Sequence, residues 1–248
     1  MENEIMTGDF LLVNKFIFGG TTPRTIPFTN IRIPAFKFPA PFNIDHGDVI
    51  VFIFPGNRDE IQPEEFAYYL KRCIALAGDT LQIVNRVVYV NGKPVPVPRN
   101  VKFNTTLVKP AGYADPRIFP KGAQFNEDNY GPIVIPKKGY HVLLNADSYD
   151  RWETFIRREG HSVSLRNNKV YVDGNERQEY IVERDYLFGM GDNRDNSLDS
   201  RFWGLVPEDA VVGTPLIVYW SWDPEVSMFD FQGKATSIRW NRFGTLVK

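Results

Sequence analysis

Short apolar runs and alternating stretches, set between turn signals, dominate this chain, and helical spacing is scarce. Such runs lie at 9–16 (DFLLVNKF), 47–55 (GDVIVFIFP), 71–84 (KRCIALAGDTLQIV), 86–92 (RVVYVNG), 131–136, 140–145, 169–174, 186–192 (YLFGMGD), 210–222 and 236–244 (TSIRWNRFG). Runs of four to eight residues with period-2 alternation predict strands, so the pattern predicts a mostly β protein. A short helix is predicted at 59–69 (DEIQPEEFAYY) and a single helical turn at 206–210. The Pro-rich segment 19–43 predicts an extended loop over apolar surface, because Pro blocks both helix and central strand.

Two stretches resemble each other, LQIVNRVVYVNGK at 81–93 and VSLRNNKVYVDGN at 163–175. Each places a strand, a polar turn and V-Y-V before Asn-Gly or Asp-Gly, a strong hairpin signal. Two copies predict related hairpins rather than a solenoid. Residues 95–160, with Pro-rich and charged patches, predict an irregular middle. The division expected is a catalytic core at 1–94 and 183–248, with a second β-rich domain inserted at 95–182.

Composition supports a folded globular chain of 248 residues, 43% hydrophobic and 14% aromatic. A net charge of −1 gives no electrostatic case for nucleic acid. The single cysteine, Cys73, has no disulfide partner and lies in an apolar run, which predicts a small packed residue. His46, His141 and His161 are far apart, without metal-ligand spacing, so no metal and no cofactor is expected. No window approaches the 18 or more apolar residues of a membrane helix, and no signal-peptide pattern opens the chain.

Candidate chemistry concentrates in GDNRDNSLDSRFWG at 191–204. There Asp192, Arg194, Asp195, Asp199 and Arg201 alternate in sign around Ser197. A plain turn needs Gly, Asn, Asp or Ser but not this density of opposed charge, which points to a loop braced by charge-assisted hydrogen bonds. Lys71 is the second candidate. It sits in a strand-like run whose alternation sends Arg72 to the opposite face. An inward lysine without a carboxylate partner is desolvated; brought from about 10.4 to about 8, it has lost roughly 3 kcal/mol of preference for its charged form and becomes a usable general base. The alternative is that both side chains snorkel at a strand end.

Together, GDFLLVNKF at 8–16, HGDVIVF at 46–52, LKRCIALAGD at 70–79 and GDNRDNSLDSRFWG, in this order, resemble the type I signal peptidases, serine proteases that use a Ser/Lys dyad. The tail IRWNRFG is similar to that family's closing segment, while Cys73 and Ala77 stand where the family often has Val and Pro. The resemblance runs nearly end to end and weakens in the middle. It implies a signal-peptidase-type antiparallel β-sheet or barrel core, with an inserted β-rich domain and one or two short helices. It also implies that Lys71 is the general base and that Ser197 orients its amine. Arg72, Asp192, Arg194, Asp199 and Arg201 would be structural support.

The nucleophile is where the chain departs from the pattern. In the family the serine precedes a Met placed, relative to the following Gly-Asp, where Met1 stands before Gly8 and Asp9. The serine is therefore expected immediately before Met1. Residues 3–5 (NEI) also differ from the usual Pro-Thr-Leu. Ser148, Ser162, Ser164 and Ser200 lack a matching context, and Ser197 already has another role. A fragment beginning at an internal Met is favoured over real loss of the nucleophile, because the rest of the dyad and its loop are intact; as given, the chain is expected to be inactive.

The activity implied is removal of N-terminal signal peptides from exported preproteins at the outer face of the bacterial cytoplasmic membrane. The substrate would bind as an extended strand added to an enzyme edge, the edges expected being DFLLVNKF and the segment before Lys71. Trp220, Trp222 and Phe229 would rest on the lipid surface or pack in the core. The alternatives are another Ser/Lys processing peptidase, or a catalytically dead peptide-binding β-domain of the secretion machinery.

Overall fold

The computed structural model describes residues 5–19, 39–227 and 229–247. Strands come first in chain order as β1 (Asp9–Asn14), β2 (Val49–Ile53), β3 (Tyr68–Ala75), β4 (Thr80–Val84), β5 (Val87–Val90), β6 (Lys93–Pro94), β7 (Tyr130–Val134) and β8 (His141–Leu143). Helix α1 (Ala146–Arg158) follows, then β9 (Val163–Arg166), β10 (Lys169–Val172), β11 (Asn175–Glu176), β12 (Glu179–Ile181) and β13 (Tyr186–Met190). The chain ends with α2 (Ser200–Trp203), β14 (Val206–Pro207), β15 (Val211–Ser221), α3 (Phe231–Thr236) and β16 (Thr245–Leu246).

The main sheet runs β1-β15-β2-β3-β13-β14, with β16 also on β15. A second sheet runs β6-β5-β4-β7, a third β11-β10-β9, and β12 pairs β8. All these strand pairs are antiparallel; the parallel contact among the described residues is an isolated bridge between Lys102 and Asn193. The protein is thus mostly β. Among the described residues no helix is long and apolar enough to cross a membrane.

The two similar stretches fold alike. Asn85 and Arg86 turn β4 into β5, and Asn167 and Asn168 turn β9 into β10, all four with positive φ. Asn91 and Asp173, each followed by Gly, make the second turn of each meander.

β3 and β13 lie between two apolar cores and serve both, since successive side chains leave a strand on opposite faces. Ile74 and Phe188 join Leu81, Tyr130, Phe155 and Ile156 in one core, which draws on all three expected segments. Cys73 and Leu187 join Ile50, Phe52, Phe54 and Trp203 in the other.

Helix placement corrects the sequence expectation. Residues 59–69 form turns and extended backbone that enter β3 at Tyr68, and Pro63 falls where a continuing helix would need its amide. The 13-residue helix lies instead at Ala146–Arg158, inside the stretch expected to be irregular. Asn145 and Ser148 cap it reciprocally, and of its residues Phe155 and Ile156 are buried, so its apolar stripe is too thin to signal a helix. Near 206–210 the expected turn is the 3-10 helix Glu208–Ala210. The tail 236–244 is not a strand: it contains the 3-10 helix Trp240–Arg242, with β16 following.

Candidate active site

β3 carries Lys71 and Arg72 to opposite faces, and the loop between β13 and α2 meets both. Lys71 Nζ donates a hydrogen bond of 3.0 Å to Ser197 Oγ. The approach depends on glycine. A Cβ on Gly189 would sit 3.1 Å from Lys71 Cβ, and one on Gly191 would overlap Ser197. The Trp203 ring lies 5.4 Å from Nζ and completes an apolar wall with Phe52, Phe54 and Tyr69.

Burial is the main influence on Lys71 and lowers its pKa from the ordinary 10.5; the carboxylates of Asp199 and Asp192 oppose this, and Arg201 adds to it. Among the described residues the carboxylates of Asp192 and Asp199 pair with Arg72 and Arg201 rather than with Lys71. A neutral amine in contact with a hydroxyl is chemically a general base held in place.

The loop's acids divide the work of bracing it. Asp192 is fully buried and takes a two-pronged bond from Arg72, at 3.0 and 2.8 Å, while Arg72 also donates to Gly47 O. Asp199, also fully buried, accepts from Gly191 N at 3.0 Å and from Arg201 Nε and Nη2 at 2.9 and 2.8 Å. Burial alone would raise the Asp199 pKa, but the Arg201 guanidinium and the Gly191 amide outweigh it and hold the carboxyl below its usual 3.8. Arg194 contributes through its main chain, donating from N to Lys102 O and accepting at O from Arg201. Its guanidinium is buried, and that burial brings its pKa down to about 10.

The structure therefore gathers Lys71, Ser197, Arg72, Asp192, Arg194, Asp199 and Arg201 at one place. Position 1, beside which the nucleophile is expected, lies outside the described residues. The four serines without a matching context lie as follows: Ser148 caps α1, Ser162 bonds Asp173, Ser164 is in β9, and Ser200 Oγ accepts from Gly189 N. Cys73 is fully buried and its thiol is pushed up to about 12 by that burial, so it is a packing residue. Among the described residues no group of three or more His, Cys, Asp or Glu is placed to hold a metal ion.

Sequence reasoning missed Gly189, Gly191 and Trp203 as site residues, although the last two stand in the charged run. It also missed the role of Asp195, which accepts from Asn104 N and Thr105 N. Nothing in the sequence near Asn104 announces that contact.

A family model described as "Signal peptidase, peptidase S26" matches residues 1–220. Signal peptidase I of Aquifex aeolicus (strain VF5) is 28% identical over 242 residues, 89% of this chain and 72% of that protein. Signal peptidase I of Helicobacter pylori (strain ATCC 700392 / 26695) is 28% identical over 256 residues, 98% of this chain and 80% of that one. A crystal structure of a signal peptidase I from Enterococcus faecalis V583 aligns with a TM-score of 0.32 at 20% identity, over 70% of this chain and 97% of that chain. With the match spanning both the lysine strand and the braced loop, the chain belongs to the signal peptidase family, peptidase S26.

Proposed function

We propose that this signal peptidase domain works by a Ser/Lys dyad in which Lys71 is the general base and Ser197 its orienting partner. The observation that carries the reading is the 3.0 Å bond between Lys71 Nζ and Ser197 Oγ inside a largely buried, braced loop. Ser197 accepts one N–H of the amine and so fixes where its lone pair points. The nucleophile is a serine that the family's spacing places ahead of the Gly8-Asp9 strand.

In the acylation step the serine hydroxyl proton passes to Lys71 Nζ while Oγ bonds to the carbonyl carbon of the residue preceding the cut. The serine's own amide and a nearby hydroxyl stabilise the oxyanion. The C–N bond then breaks as the Lys71 ammonium returns its proton to the leaving amine. Water, deprotonated by the same lysine, then bonds to the acyl carbon, and the C–Oγ bond breaks as the Lys71 ammonium returns that proton to the serine oxygen.

The preprotein binds as an added strand. Two features support this. β1 is an outer strand of its sheet, and residues 68–71 of β3 pair with β2 while β13 pairs only residues 72–75. Lys15 Nζ lies 5.9 Å from the Tyr68 ring, which places the end of β1 beside the start of β3. Small side chains at the −1 and −3 positions of the substrate strand fit shallow apolar pockets beside it. The domain rests on the bilayer's outer face through exposed aromatic side chains.

The test is cleavage of a preprotein by a chain extended to include the serine and its upstream segment. Wild type cleaves, and Lys71→Ala does not. Cleavage by Lys71→Ala overturns the dyad.

A further inference from the structure

Arg86 holds a backbone conformation that its own side chain disfavours. The related hairpins turn on Asn85 and Arg86, with φ of 47° and 72°, and on Asn167 and Asn168, with φ of 49° and 59°. A turn with positive φ at both central residues favours Asn, Asp and Gly, and the second hairpin follows the rule. The first puts an arginine where its twin has Asn168. A residue kept in a sparsely populated region is held there by its surroundings, and such residues cluster where geometry serves function.

The Arg86 guanidinium is bonded on every side. Nε donates to Asp128 Oδ1 at 2.9 Å, Nη1 to Thr105 O at 2.7 Å and Nη2 to Leu107 O at 2.5 Å. It lies 3.5 Å from Asp195 Oδ1 and 4.8 Å from the centre of the Phe103 ring. It therefore fixes residues 103–107, a strap that runs beside the loop carrying Ser197.

The strap grips that loop at successive positions. Lys102 N donates to Asp192 O at 2.8 Å, and Arg194 N to Lys102 O at 2.9 Å. Asn104 Nδ2 donates to Asn193 Oδ1 at 3.1 Å, while Asp195 Oδ2 accepts from Asn104 N at 2.6 Å and Thr105 N at 2.9 Å. A second route passes through Glu127, next to Asp128, whose carbonyl accepts from Arg201 Nη1 at 3.3 Å. Asp192 and Asp199 secure the two ends of the loop. The strap secures residues 193–195, which lead directly into Ser197.

We infer that Arg86, acting through the strap at 102–107, is a positioning residue that sets Ser197 against Lys71. The inference rests on the roles given above to those two residues. The charged groups that act on Lys71 are Asp199, Arg201 and Asp192, and its contacts are the Ser197 hydroxyl and the Trp203 ring. Arg86 is not among them, so its influence on the amine is conformational. When the strap loosens, Ser197 moves off the lysine and water reaches Nζ.

Arg86→Asn tests this, because the twin hairpin shows that Asn suits the turn. The first readout is the apparent pKa of Lys71 in residues 1–248, followed by pH-dependent amine labelling and mass spectrometry. The second is kcat and KM of the serine-containing enzyme on a preprotein peptide. The variant is expected to move the Lys71 pKa upward toward 10.5 and to lower kcat about tenfold while KM changes less than twofold. Asn104→Ala, which removes the bond to Asn193 and leaves the hairpin untouched, and Asp195→Ala, which removes the bonds from Asn104 N and Thr105 N together with the ion pair to Arg86, should give the same signature. Arg86→Lys, which keeps charge but not the fork, should resemble Arg86→Asn. Wild-type Lys71 titration and kcat in Arg86→Asn, with or without a fall in Tm, overturn the inference. Cleavage by Lys71→Ala overturns the dyad instead, and the labelling result still decides the role of Arg86.

Discussion

A Cβ placed on Gly191 would lie 2.0 Å from Ser197 Oγ and 3.5 Å from Lys71 Nζ. The glycine is what lets the hydroxyl and the amine meet. Gly191→Ala must therefore push Ser197 away, because the overlap is with a side chain held at both ends of its loop. A displacement of about 1 Å costs on the order of 100-fold in rate. Preprotein cleavage should fall by that much with little change in Tm, and wild-type kcat in this variant would show that Ser197 has no positioning role.

The lowered pKa of Lys71 fixes the sign of two pH effects. Activity should rise as the amine loses its proton, with a midpoint below the ordinary 10.5, since burial disfavours the charged form. Between its folded and unfolded pKa the lysine is neutral in the native state and charged in the unfolded chain. The unfolded state then binds more protons, so this group makes stability increase with pH up to about 10.5. Below the folded pKa it imposes its full penalty. Lys71→Met should therefore raise Tm near neutrality, and the difference should shrink as pH approaches 10.5. A Tm difference that is flat with pH would show that the lysine is not desolvated.

The pair Asp199 and Arg201 gives an equilibrium test of the brace. Both side chains are buried, at 0 and 2% exposure, so removing one leaves the other charge uncompensated. Arg201→Met should cost about 3–5 kcal/mol by denaturant unfolding, and Asp199→Asn with Arg201→Met should recover part of that loss. Because the Asp199 pKa is depressed, its contribution is present above the unfolded value of 3.8 and is lost as pH falls through the folded one. Equal stability of the single and double variants would show that the two groups are not coupled.

The strands and the braced loop were legible in the sequence because their signals are local. Period-2 runs placed β1 to β5, and alternation put Lys71 and Arg72 on opposite faces. The helix at Ala146–Arg158 was not legible, because Trp152, Phe155 and Ile156 are few among its charged residues. Residues 59–69 misled in the opposite sense, since their acidic and aromatic residues mimic a helix that Pro63 disfavours. Arg86 and Asn104 were invisible for another reason. Their partners lie 42 and 91 residues away, and no local pattern encodes such a contact.

Cys73 should be inert to alkylation in the native state. It is fully buried and its thiol pKa is raised to about 12, so almost no thiolate exists near pH 8. Iodoacetamide followed by mass spectrometry should leave it unmodified until the protein is unfolded. Rapid labelling of the native chain would mean that the core around Ile50 and Leu187 opens.

The exposed aromatic residues near the C-terminus lead to a prediction about the bilayer. Trp220 and Trp222 are half-buried and pack on each other, with Trp220 against Phe243 and Trp222 against Phe10, so they support the surface rather than form it. Phe229, Phe231 and Trp240 are 91, 81 and 68% exposed, Trp240 with one face stacked on Phe243, and all three are accessible to an interface. Burying a Phe side chain is worth roughly 1.5–3 kcal/mol, so losing one should weaken binding about tenfold or more. Phe229→Ser and Phe231→Ser should each reduce cosedimentation of residues 1–248 with phospholipid vesicles, and Trp240→Ser should do the same through its interfacial ring. Cleavage of a short peptide in the absence of lipid should be unchanged in the extended enzyme. If these three variants bind vesicles like wild type while Trp220→Leu does not, the contact lies on the packed tryptophans and the surface has been assigned to the wrong side chains.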